Sequence, residues 1–166
     1  MARASFAALS EFRFLQDRRR LSLKSPRRIH GDKKMGAVNW LAVIAAAMSM
    51  FVIGGLWYSV LFEKAWMAAN GFTAEDIKRG NPAVIFGLAF VLSLVMAANL
   101  AFFISGPEVT LGFAVGAALA AGLGWAALGL AVIALFERRP PAYFLINGGY
   151  LTVSFVVMGL ILGLWR

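Results

Sequence analysis

Cysteine is absent from the 166 residues, and the only histidine is His30. Disulfides, thiolate metal sites and a cysteine nucleophile are therefore excluded, and the redox compartment is not legible. Charge is scarce as well, at 14% of residues, and residues 37–62, 82–104, 109–135 and 143–165 contain no Asp, Glu, Lys, Arg or His. Inside membranes those residue types mark proton relays, ion pathways and counter-ion sites, so their absence argues against a proton-coupled exporter built on a buried carboxylate. Paired carboxylates at membrane depth, a His/Asp/Glu metal cluster, a phosphate-cradling glycine loop and a base beside a serine are all missing too. No catalytic residue, no metal site and no cofactor is expected, and the chain is read as a non-enzyme.

What is present is apolar. With 61% hydrophobic residues and a positive mean hydropathy, the chain lies outside soluble-domain usage and is an integral membrane protein. The uncharged run from Ala37 to Phe62 exceeds, at about 1.5 Å per residue, the roughly 30 Å hydrocarbon core. The net charge of +8 divides unevenly: residues 1–34 hold ten Lys/Arg against three acids, and the remainder holds six against five. The body is nearly neutral, so nucleic acid is not an expected partner; the lipid bilayer is.

Residues 1–34 form a basic tail with three competing readings: a juxtamembrane segment drawn to anionic lipid, an Arg-rich targeting peptide, or a stretch not translated because synthesis starts at Met35. The third is preferred, because Gly31-Asp32 permits a purine-rich ribosome-binding sequence just upstream. Residues 35–166 form the membrane domain, with spans at about 37–62, 82–104, 109–135 and 143–165. The class is all-α, a bundle of four antiparallel transmembrane helices with one short amphipathic loop helix. That loop helix is expected over 73–79, with Thr73 and Asp76 as a capping box, Phe72 and Ile77 as a hydrophobic staple and Gly80 as its stop. Asn81-Pro82 opens the second span as cap and first-turn proline. Ser105-Gly106-Pro107-Glu108 is a tight return. Trp40 and Trp165 mark one interface, and Trp57, Trp66 and Tyr143 the other.

Two constellations stand out. Gly112, Gly116, Ala120 and Gly124 recur every four residues as a smooth stripe that admits a close backbone, either the fourth span through Gly159 and Gly163 or a second copy. Counting depth along antiparallel helices brings Trp57, Tyr58, Asn147 and Tyr150 to one level, with Trp125 somewhat deeper on that side and Asn39 and Asn99 near the opposite boundary. Either the first four hydrogen-bond between helices, or they line a shallow pocket for a small, largely apolar or amphipathic molecule, lipid included.

Asn39-Trp40-Leu41-Ala42, Gly55-Leu56-Trp57-Tyr58-Ser59, Phe62, Lys64-Ala65-Trp66, Gly71-Phe72-Thr73 with Glu75-Asp76-Ile77, Gly148-Gly149-Tyr150 and Met158 through Trp165 carry a likeness. Over Asn39–Trp165 the chain resembles the bacterial family catalogued as domain of unknown function 1761, which are small membrane proteins. The resemblance implies the four-span fold and a start near Met35, and it brings no activity. That family carries proline near Val60 and glycine near Glu63, so a more regularly helical exit from the first span is expected here.

Two functions remain open. One is a non-enzymatic bundle, transporter-like or lipid-interacting, working as a homo-oligomer in the bacterial inner membrane with its small-molecule ligand unknown. The other is an accessory subunit docked on a larger complex through the glycine stripe. A membrane enzyme is a distant third. For a chain starting at Met35 the positive-inside rule weighs one Lys/Arg on the terminal side against five on the loop side, which puts both termini outside the cytoplasm.

Overall fold

A computed structural model of the protein describes residues 38–165, so the readings made on the basic tail lie outside the described residues. Four helices are long and apolar enough to cross a membrane: α1 (Trp40–Leu61), α4 (Pro82–Ile104), α5 (Leu111–Phe136) and α6 (Pro141–Leu164). Two short helices, α2 (Glu63–Asn70) and α3 (Ala74–Lys78), fill the first loop.

The helix starts follow local chemistry. Asn39 accepts from the backbone N–H groups of Leu41 and Ala42 at 3.1 and 3.2 Å, meeting two of the donors every helix start leaves free. Asn81 does the same for Ala83 and Val84 ahead of Pro82, and Thr110 accepts from Phe113 N at 3.1 Å. At α3 the capping box is complete: Asp76 N donates to Thr73 Oγ1 at 3.3 Å, and Thr73 N donates to Asp76 Oδ2 at 2.9 Å. Phe72 sits edge-on to Trp66, with ring centroids 5.5 Å apart.

The first loop departs from expectation by holding two helices where one was read. Helix α2 has no polar cap on Phe62 to announce it; it continues from α1 after a break and ends at Gly71, whose φ of 69° suits glycine. The exit from α1 is also less regular than expected. Residues Trp57–Leu61 wind as a π-helix, Phe62 N donates to Trp57 O at 2.9 Å across five residues, and Phe62 breaks the helix with φ −128° and ψ 12°.

Packing is sequential in space but not in chain. Helix α6 lies between α1 and α5, and α1 also packs on α4. Rings of Phe51 against Phe86 and Phe90, and of Trp40 against Phe102, join α1 to α4. The buried core (Ala42, Ala46, Ala97, Ala101, Ala114 and Met158 among it) occupies the half of the bundle nearest Asn39 and Trp165. There Asn39 Nδ2 donates to Trp165 O at 3.4 Å, tying the start of α1 to the end of α6. Although a six-residue turn joins them, α4 and α5 meet chiefly through Leu111–Leu119 and then part.

Candidate functional site

Trp57, Tyr58, Asn147 and Tyr150 converge. Trp57 Nε1 donates to Ile146 O at 3.0 Å, Tyr58 Oη donates to Asn147 Oδ1 at 2.9 Å, and Tyr150 Oη donates to Met50 O at 3.3 Å. The amide Nδ2 of Asn147 turns back to Tyr143 O at 2.8 Å. The Tyr58 ring lies tilted against Tyr150 and Trp66, with centroids 5.1 and 5.4 Å away. Successive side chains on a regular helix diverge by about 100°; the wider π turn narrows that angle, so that Trp57 and Tyr58 both reach α6.

Gly148 and Gly149 make room for this. A Cβ on Gly149 would lie 3.0 Å from Trp57 Cζ2, and one on Gly148 would lie 3.1 Å from Ala127 Cβ. One glycine thus receives the π segment of α1 and its neighbour receives the end of a second π segment, Ala120–Ala127 of α5. The level works as a latch. Its polar hydrogens are directed at protein acceptors, and three bonds between helices contribute about 2 kcal/mol at the roughly 0.6 kcal/mol each that such bonds average in membranes.

Of the two partners open to the small-residue stripe, the fourth span meets a different face of α5. Gly159 and Gly163 of α6 do meet α5 closely: a Cβ on Gly159 would collide with Ala118 Cβ, and one on Gly163 would lie 3.1 Å from Ala114 Cβ. Gly122 completes the row, its Cβ position 2.6 Å from Phe155 Cβ. The opposing face is therefore Ala114, Ala118 and Gly122, about 200° around the helix from Gly112, Gly116, Ala120 and Gly124. Those four are exposed, and nothing approaches Gly116 or Gly124 within 4 Å. Alanine is small enough for close packing, so glycine density alone does not mark the face that meets α6.

A groove of about 660 Å³ opens where α4 and α5 part. Met96, Asn99 and Phe103 form one wall, Ala121 and Trp125 the other, and Phe155 of α6 lies between them. Asn99 is the one amide in this lining; it makes no hydrogen bond among the described residues. Trp125, 85% exposed, stands far from both ends of α5. A tight turn suggests close neighbours, so the sequence does not announce the groove. Its signals were a lone amide in an apolar span and a tryptophan too deep for the interfacial belt.

No three His, Cys, Asp or Glu among the described residues are grouped to hold a metal. The loop acid Asp76 is engaged as a cap: hydrogen bonds from the Thr73 hydroxyl and backbone hold its carboxyl below the ordinary range, and Arg79 pairs with it at 3.2 Å. At the other loop Arg139 pairs with Glu137 at 3.1 Å and lies 5.3 Å over the Tyr143 ring.

A family model described as protein of unknown function (DUF1761) matches residues 41–163. No curated protein and no solved structure matches the chain.

Proposed function

The chain belongs to the DUF1761 family, and from that premise we propose that it is a non-enzymatic, lipid-interacting bundle that works as a homo-oligomer in a bacterial inner membrane. The observation that carries this reading is a contrast between two places. At the latch the polar groups are spent on acceptors within the protein, whereas the α4–α5 groove is open toward the bilayer and lined by apolar side chains around one amide. Self-association has its own support in the outward stripe of Gly112, Gly116, Ala120 and Gly124, a face a neighbouring helix approaches without hindrance.

The same stripe favours one other reading, an accessory subunit that docks on a larger membrane complex. Native mass measurement of the protein extracted in mild detergent separates the two. A defined oligomer carrying lipid supports the first; a monomer that is recovered lipid-free with a stoichiometric second protein replaces it with the other.

A further inference from the structure

We infer that the α4–α5 groove seats an acyl chain of a diacyl glycerophospholipid, with an ester carbonyl of that lipid accepting a hydrogen bond from Asn99 Nδ2. This deepens the lipid-interacting reading and rests on it.

Three observations choose the occupant. The first is size: a helix with its side chains, roughly 10–12 Å across, would use up about 660 Å³ in roughly 6–8 Å of its length, under two turns. The groove thus cannot enclose a partner helix and falls within the range of small-ligand sites. The second is polarity. An amide facing hydrocarbon with neither donor nor acceptor used is strongly unfavourable, and Asn99 has no partner among the described residues.

The third is depth. Helix α4 has 23 residues, about 35 Å against a hydrocarbon core of roughly 30 Å, and Asn99 lies about 7.5 Å in from Ile104. That puts the amide in the outermost part of the hydrocarbon. Ester carbonyls at the head of the acyl chains are the acceptors a bilayer supplies nearest that level. From there the groove runs about 13 Å along α5 to Trp125, past the small side chains of Ala117 and Ala121. A flexible chain lies along such a wall and enters sideways from the bilayer without crossing water.

The test compares a diacyl phospholipid with its dialkyl ether analogue, which has the same chains and headgroup but no ester carbonyl. Each is titrated onto the full chain in mild detergent and scored by native mass spectrometry. The wild type is expected to retain the ester lipid roughly three- to tenfold better, Asn99→Leu to retain both equally, and Val95→Trp, which narrows the groove from an exposed position outside the glycine stripe, to lose both with its melting temperature unchanged. Equal retention of ester and ether lipid by the wild type overturns the Asn99 contact. Unaltered retention by Val95→Trp overturns the groove as the seat. Absence of any phospholipid adduct on the wild type instead overturns the lipid-interacting reading itself.

Discussion

Tyr58 and Asn147, 89 residues apart, share a hydrogen bond of 2.9 Å from the phenol to the amide oxygen, and it joins the first and last spans of the bundle. Asn147 is held for that role by its own bond back to Tyr143 O. Replacing Asn147 with alanine leaves the Tyr58 phenol without its acceptor. We expect Asn147→Ala to lower stability by about 0.6–1.7 kcal/mol, the range for such bonds in membranes, with phospholipid retention unchanged. Thermal unfolding in detergent beside native mass spectra checks both. Lost retention with intact stability would show the latch to be the ligand site.

Two glycines separate packing within the chain from packing between copies. Gly159 lies against Ala118 with no room for a Cβ, while Gly116 has empty space beside it. Gly159→Leu is expected to unseat α6 from α5 and cost several kcal/mol, as overpacking does. Gly116→Leu is expected to leave monomer stability within about 0.5 kcal/mol and to dissolve the oligomer. Size-exclusion with light scattering reads the second effect, and an unaltered oligomer in Gly116→Leu would show that the stripe faces only lipid.

The loop helix α3 responds to acid. Because the Thr73 bonds depress the carboxyl of Asp76 in the folded state, its contribution is present above the ordinary carboxylate pKa and is lost as pH falls through the lower, folded value. The backbone amide resonance of Thr73 should therefore titrate with a midpoint below the ordinary range, and Asp76→Asn should abolish that titration. A midpoint at or above the ordinary value would contradict the cap.

Orientation follows from where the positive charges lie. In a chain beginning at Met35, a reporter fused after Trp165 is expected to be active only outside the cytoplasm, with Lys64, Lys78, Arg79, Arg138 and Arg139 on the cytosolic side. Cytoplasmic activity of that fusion would reverse the assignment.

Depth was legible in the sequence and azimuth was not. Counting residues from the helix ends brought Trp57, Tyr58, Asn147 and Tyr150 together, because rise per residue is nearly independent of neighbours. The caps at Thr73 and Asn81 were legible for the same local reason. Which face of α5 meets α6 depends on tertiary packing and on a π segment over Ala120–Ala127 that no residue type announces. The groove is a consequence of azimuth. With α5 committed to α6 through Ala118 and Gly159, and α4 held to α1 through Phe51 and Phe90, the short turn between α4 and α5 joins helices that lean apart.

Photolabelling distinguishes phospholipid bound between α4 and α5 from phospholipid bound at the latch. A phospholipid with a photoreactive group in its acyl chain would be activated on the full-length protein in bilayers and the labelled peptides sequenced. Label is expected to concentrate on residues 95–103 and 117–126; label concentrated on residues 57–58 and 147–150, or spread evenly over all four spans, would overturn binding in the groove.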